Sequence, residues 1–430
     1  MLNVVEPQFS GIGGGGFMMV HLARHDHTFA IDGRERAPAA ASPRMFLFTG
    51  VSPANLFGLA STSGISVGVP GTLAVLDTAL KRYGTISLAQ ALQPAIAIAD
   101  NGFRINRFLA ANIANDGGIT SLQPEIRTVF RPGGGPLADG DLLVQKDLAK
   151  TFRLIAQQGA DVFYHGEIAK AIVNAQKRSR SPVAAEGMGR MELSDLAAYR
   201  TEIRQPITGN YCGYRLASMS PPSSGGLTII QMLKMLERFP LGDTAQGYGF
   251  GATKTMFNFT PTFDAATGNP GANDVAPFKR PRSSMSPTIV FRKGEPVAAY
   301  GSPGGSTIIN SVLNTTLNLV DHRMTIQQAI DAPRLSVTSA AGGVSCEGGQ
   351  PFMLPAFSQA TLDALRFTLL HPVPLVPTVG GVPTCASSIG SVQGIVIDLK
   401  TDRQFGGADQ RREGTVIGIT RRRDDDDDDD

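Results

Sequence analysis

Ser10-Gly-Ile-Gly-Gly-Gly-Gly-Phe17, with Asn3-Val-Val-Glu-Pro7 before it and Met18-Met-Val20 after it, is the stretch on which the fold reading turns. Gly11 to Gly16 satisfy the spacing G-x-G-x-x-G of a dinucleotide-binding turn, but that motif requires a strand running straight in and a helix running out. Here Pro7 and Gln8 interrupt the entry, and Phe17-Met-Met-Val-His-Leu22 leaves as an apolar strand. A nicotinamide site is therefore not expected. The loop instead offers backbone N–H groups at close range, which glycine allows because it has no Cβ.

Working outward, Phe17–Val20 and Thr28–Ile31 read as two strands around the turn Arg24-His25-Asp26-His27, and Asn3–Val5 as a further short strand. The turn also places His21, His25 and His27 at an exposed tip, which is a better reading of them than a metal site. Helices dominate from Gly71 to Tyr199. Leu73–Arg82 follows Pro70-Gly71-Thr72, and Ser87 caps a segment with Leu88, Leu92, Ala95, Ile96 and Ala99 at helical spacing before Gly102. Leu148, Phe152 and Ile155 mark another helix that stops at Gly159. After Pro221-Pro-Ser-Ser-Gly-Gly226 comes an apolar helix over Leu227–Phe239. Thr288–Phe291 and Pro296–Tyr300 form a hairpin, Thr325 with Gln328 makes a capping box, and Val392–Leu399 and Thr415–Ile419 read as closing strands. Strands at both ends with helices between them, and no regular βαβ alternation, predict an α+β fold.

Composition excludes several functions. The chain has 430 residues, 42% of them hydrophobic, enough for a large core. No apolar run reaches the ~18 residues of a spanning helix, so no membrane span is expected. The net charge of +2 conceals Arg421–Arg423 followed by seven aspartates, Asp424–Asp430; without these the chain is mildly basic, has no Lys/Arg stripe, and is not expected to bind nucleic acid. Cys212, Cys346 and Cys385 are far apart and indicate neither a zinc site nor a disulfide framework. Nothing in the sequence calls for a metal or another cofactor. Met1-Leu-Asn-Val-Val-Glu-Pro7 lacks the charged and apolar regions of an export signal.

Several motifs recur together: the glycine loop, Arg34-Glu-Arg-Ala-Pro38, Val69-Pro-Gly-Thr72, Pro221-Pro-Ser-Ser-Gly-Gly226, Lys279-Arg-Pro-Arg-Ser-Ser-Met-Ser-Pro-Thr288, Gly301-Ser-Pro-Gly-Gly-Ser306 and Asp331-Ala-Pro-Arg334. As a set they resemble the γ-glutamyltranspeptidases (glutathione hydrolases) of the N-terminal nucleophile hydrolase superfamily. The resemblance implies a four-layer αββα sandwich, a large-subunit-like region over 1–256, a small-subunit-like region over 257–420 and a charged tail over 421–430. It further implies a self-cleaving precursor whose new threonine attacks a γ-glutamyl amide, with transfer of the acyl group to water, an amino acid or a dipeptide. Glutathione or another γ-glutamyl compound is then the donor. Relatives are usually periplasmic or secreted, which leaves the compartment of this chain open.

Residue by residue, the resemblance assigns Arg34 to the glutamyl α-carboxylate, for which a guanidinium fork is suited. Ser283 and Ser284 match the serine pair on the same carboxylate, and Gly304 and Gly305 match the backbone donors of the oxyanion hole. One departure stands out. Between Lys254-Thr-Met256 and Phe257-Asn-Phe-Thr-Pro261 the family carries a long segment with the cleavage site and the groups that hold the substrate amine, whereas here the flanks abut. Thr253, Thr255 and Thr260 lie in stretches matching those flanks, so none is expected to be the nucleophile. The sandwich is then expected to be incomplete and covalent turnover to fail. The alternative is a non-catalytic relic or truncated fragment that at best binds glutamyl carboxylates.

Overall fold

The computed structural model describes residues 1–46, 60, 62–116, 124–178, 187–239, 241, 274–337, 344–347, 357–368 and 389–418. The join at residues 256 and 257, the threonines Thr253, Thr255 and Thr260, Cys385 and the 421–430 tail lie outside them. Two compact units are interleaved along the chain, one over 1–207, 219–225 and 256–285, the other over 208–218, 226–255 and 286–430.

In the first unit the opening helix α1 (Leu2–Val5) precedes the hairpin of β1 (Gly16–Leu22) and β2 (His27–Gly33). The strand expected over Asn3–Val5 is thus one helical turn, since so short a run carries no period that separates the two forms. Burial of Val4, whose carbonyl accepts from Gln145 Nε2 at 2.8 Å, fixes it there. The hairpin register Gly16↔Gly33 to Leu22↔His27 places Asp26, at φ 42°, in the turn. Helices α2 (Thr72–Tyr83), α3 (Leu88–Asn101), α4 (Lys146–Gln158) and α5 (Glu167–Lys177) come next, and β3 (Glu202–Arg204) joins β2 antiparallel as the third strand. Ser87 and Gln90 form the reciprocal capping box of α3, so the predicted start is met at the atomic level. Ala95, Ile96 and Ala99 of α3 pack with Phe152 and Ile155 of α4, while Val75 of α2 lies against Phe29 and Ile31 of β2.

The second unit is built on one six-stranded sheet. Its strands are β4 (Ile207–Tyr211), β5 (Tyr214–Ser218), β6 (Thr288–Arg292), β7 (Glu295–Gly301), β8 (Gln393–Asp398) and β9 (Arg403–Ala408), in the spatial order β9-β8-β7-β6-β5-β4. Helices α6 (Gly225–Leu236), α7 (Ile308–Val320) and α8 (Ile326–Asp331) accompany it, with α7 and α8 against β7, β8 and β9. Residues 415–418 form no strand; the sheet closes on β9 instead. The apolar run there reads like β8 in sequence, but Val416 lies over Gly406, where its side chain fills the space of the missing Cβ. Behind the sheet, Arg334 and Arg411 are buried with Asp409 and Glu347 in one ion cluster. Cys346 is disulfide-bonded while Cys212 is free, a bridge that spacing did not indicate because sequence separation does not report distance in space.

The glycines of the first unit are demanded by close backbone approach. A Cβ on Gly71 would lie 2.0 Å from the Gly33 carbonyl oxygen and 2.1 Å from Tyr199 Oη, and one on Gly15 would lie 2.6 Å from both Glu35 N and Glu35 Oε2. Gly71→Ala should therefore destabilise the unit by about 1–3 kcal/mol through overpacking, read as a melting temperature lowered by roughly 5 °C. A melt that matches the wild type would show that the backbone yields without cost.

Candidate functional site

Asp32, the penultimate residue of β2, is fully buried, and its carboxylate organises the chain that leaves the strand. It accepts from the backbone N–H of Arg34 at 2.8 Å and from Arg204 Nε at 2.7 Å, with Arg280 Nε at 3.5 Å. On the other side of Arg34, its carbonyl accepts from Tyr199 Oη at 2.8 Å and from Arg280 Nη1 at 2.6 Å. The backbone of Arg34 is thus held at both ends by buried polar groups. Burial raises the Tyr199 phenol above its ordinary value against the opposing Arg280 charge. Burial works against the Arg280 guanidinium, but Tyr199 and Asp32 beside it carry its pKa above the ordinary value. Both groups keep their forms at neutral pH.

The Arg34 side chain crosses to the segment 279–285. Nε donates to the Pro281 carbonyl at 3.1 Å, Nη2 to the Arg282 carbonyl at 3.1 Å, and Nη1 to Glu35 Oε2 at 2.8 Å. A guanidinium has five N–H groups, so these three bonds leave one on each terminal nitrogen.

The same segment is pinned from a second direction. Ser223 and Ser283 form a parallel bridge, Ser283 N donates to the Pro222 carbonyl at 3.0 Å, and Ser224 N donates to the Ser283 carbonyl at 2.9 Å. The buried Ser283 hydroxyl accepts from Met285 N at 3.0 Å. Two motifs about 60 residues apart in sequence are thereby made neighbours.

Next to Arg34 lies a cleft of about 440 Å³, within the usual range of ligand pockets. Arg34, Arg36, Lys279 and Glu35 line its polar side, and Met45, Phe46, Ile65 and Val67 its apolar side. Arg36 donates from Nη2 to the Ala198 carbonyl at 3.2 Å and lies over the rings of Phe278 and Tyr199. Burial, then the neighbouring Arg280 charge, lowers its pKa. Among the described residues no group of three or more His, Cys, Asp or Glu is placed to hold a metal ion. No helix among them is long and apolar enough to cross a membrane.

Of the residues singled out from sequence, Arg34, Ser283 and Ser284 belong to this unit. Gly304 and Gly305 belong to the other, in the turn between β7 and α7, at φ 145° and 59°, conformations that favour glycine. A Cβ on Gly304 would lie 2.6 Å from Thr307 Oγ1 and 3.0 Å from Gly390 Cα. Sequence reasoning missed Asp32, Tyr199 and Arg280. A buried aspartate two residues before the arginine was the one available signal, since no spacing rule links Tyr199 or Arg280 to it.

The sequence model of the gamma-glutamyltranspeptidase family matches residues 1–247 and 242–419. The glutathione hydrolase proenzyme of Bacillus subtilis (strain 168) is 33% identical, covering 97% of this chain and 86% of its own length. That alignment runs over 532 positions although the chain has 430 residues, so the relative carries internal sequence with no counterpart here. The crystal structure of Helicobacter pylori gamma-glutamyltranspeptidase is 38% identical with a TM-score of 0.52, covering 59% of this chain and 69% of its own. The cephalosporin acylase from Bacillus halodurans, at 20% identity, matches 97% of this chain and 89% of its own with a TM-score of 0.76, a likeness of fold.

Proposed function

The chain belongs to the gamma-glutamyltranspeptidase family of acyltransferases and hydrolases, and from that premise we propose that it retains the carboxylate grip of a γ-glutamyl-processing enzyme while covalent transfer does not proceed. The observation carrying this reading is the fixing of Arg34: both backbone ends and three N–H groups are bonded internally, while the side chain lines the cleft. A guanidinium held this way binds a carboxylate bidentately without first being ordered, and less rotamer freedom is lost per bond.

In this reading Arg34 takes the glutamyl α-carboxylate and Ser283 and Ser284 add hydroxyl hydrogen bonds to it. Donors are glutathione or other γ-glutamyl compounds, and acceptors are water, amino acids or dipeptides. Loss of transfer is supported by the two family matches that meet at residues 242–247 and by the relative's surplus internal sequence. The resemblance places the family's nucleophilic threonine in a segment missing between residues 256 and 257.

Calorimetric titration of glutathione into the wild type and Arg34→Ala tests the grip. Truncation should weaken binding at least tenfold, since a charge-assisted bidentate pair is lost. An unchanged dissociation constant would remove Arg34 from the site.

A further inference from the structure

The geometry points to a second ligand site, a cleft on the six-stranded sheet of the second unit that takes an anionic amphiphile: an unbranched acyl chain ending in a carboxylate. This site does not rest on Arg34. Its volume is about 790 Å³, inside the range of roughly 300–1,000 Å³ typical of small-molecule sites. Strands β6 to β9 and the stretch from the end of α7 to the start of α8 line it.

Its wall and its rim differ in chemistry. Val290, Ala298, Tyr300 and Ile326 are buried in the wall. The hydroxyls there are already bonded: Tyr300 Oη lies 2.7 Å from Thr316 Oγ1, and Thr325 Oγ1 donates to Gln328 Oε1 at 3.0 Å. An acyl chain entering the cleft would exchange water for apolar contact, whereas a polar body would lose water without gaining partners. Leu399 and Phe405, each about half exposed, carry the apolar surface out to solvent.

The rim is cationic because two turns meet at one end of the sheet. The pairs Arg292↔Glu295 and Asp398↔Arg403 close these turns, and Val396↔Ala298 sets β8 beside β7, which brings them level. They place Arg292, Lys293 and Lys400 along the cleft. The Arg292 guanidinium lies over the Tyr214 ring at 5.3 Å, and Lys293 and Lys400 are exposed. Asp398, the one carboxylate among the described lining residues, accepts from Lys400 N at 2.9 Å and from Thr401 Oγ1 at 2.8 Å within its own turn. Glu295 and Asp402 stand in the same two turns but do not line the cleft. A carboxylate at this end would meet positive charge at the solvent boundary, where it keeps part of its hydration and avoids the full cost of burial.

Decanoate, titrated calorimetrically into the full chain below its micelle concentration, is the first probe and should bind. Its shorter homologue hexanoate should bind about tenfold more weakly or worse. Decyltrimethylammonium, with the same chain and the opposite head charge, should lose a similar factor of roughly ten. Hexanoate as tight as decanoate overturns the role of the apolar wall, an equally tight ammonium overturns the role of the rim, and no decanoate binding overturns the site. The exposed double variant Lys293→Glu/Lys400→Glu should keep the wild-type circular dichroism and weaken decanoate about tenfold. Leu399→Asp should weaken it through the chain contact instead. Unchanged affinity in both variants places the ligand elsewhere and overturns the assignment. Arg34→Ala should leave decanoate binding as it is; a loss there moves the ligand to the first unit and overturns this site, while the glutathione titration reads the Arg34 grip separately. Phosphatidylglycerol vesicles that pellet the chain when decanoate does not bind would make this face a membrane contact and overturn the cleft ligand.

Discussion

Purified chain should run on a denaturing gel as one uncleaved band of 45.4 kDa and should hydrolyse a γ-glutamyl anilide at a rate far below that of an intact relative. The expected loss is large because the reaction depends on one hydroxyl. Where a hydrolase loses its nucleophile and base together, the oxyanion donors and binding groups that remain give about 10³–10⁴-fold over water, against the ~10⁶-fold or more typical of enzymes. Binding a carboxylate positions the amide, but a bound amide with no nucleophile close to it gains little. Two bands, with a threonine at the amino end of the smaller, would overturn this expectation. So would robust release of glutamate from glutathione. Either result would relocate the nucleophile to one of the threonines near the join, whose flanks carry no cleavage-site sequence.

Arg411→Ala should destabilise the second unit by about 3–5 kcal/mol, the cost of removing one partner from a buried ion cluster. Arg411 and Asp409 are fully buried, and Arg334 and Glu347 almost so. Arg411 Nε donates to Glu347 Oε1 at 2.7 Å, its Nη2 bonds the other Glu347 oxygen, and its Nη1 is 3.1 Å from Asp409 Oδ1. Arg334 Nη2 donates to Asp409 Oδ2 at 2.7 Å. The cluster also organises backbone: Ile389 N donates to Glu347 Oε1 and Val392 N to Asp409 Oδ2, each at 2.7 Å. Without Arg411, Glu347 keeps its burial and loses its countercharge. Chemical denaturation measures the effect, and a variant as stable as the wild type would show that water or another group replaces the guanidinium.

The same cluster carries a pH dependence. Burial alone would raise the Asp409 carboxyl, but the Arg334 and Arg411 charges outweigh it and hold its pKa below the ordinary carboxylate value. A depressed pKa contributes stability that is complete above the unfolded-state value of about 3.9 and is lost as pH falls through the folded value. Acid unfolding of the wild type should therefore be steep below about pH 4, and Asp409→Asn should be less stable at neutral pH with a shallower acid limb.

Local elements were the most legible part of the fold. The Ser87 and Thr325 capping boxes, the stop at Gly102 and the hairpin around Arg292–Glu295 each depend on residues within four positions of one another. The misreadings were short apolar runs: Asn3–Val5 is a helical turn, and Thr415–Ile419 gives no strand over its described residues. Three to five apolar residues fit either form or none, and packing decides among them.

For the site, the motifs around Arg34 and Ser283 were visible as strings, and their residue types already pointed to an anion. What no string contained was that Arg34 gives most of its guanidinium to the carbonyls of Pro281 and Arg282 and to Glu35. Nor did it contain Asp32, Tyr199 and Arg280 closing around its backbone. The chemistry of each side chain, the helix caps and the family likeness are properties of residue identity and short spacing, so they were determined by the sequence itself. The pairing of groups up to 248 positions apart was decided by the tertiary structure alone. A buried donor takes whichever acceptor the fold brings within 3 Å of it, and chain separation does not encode that distance.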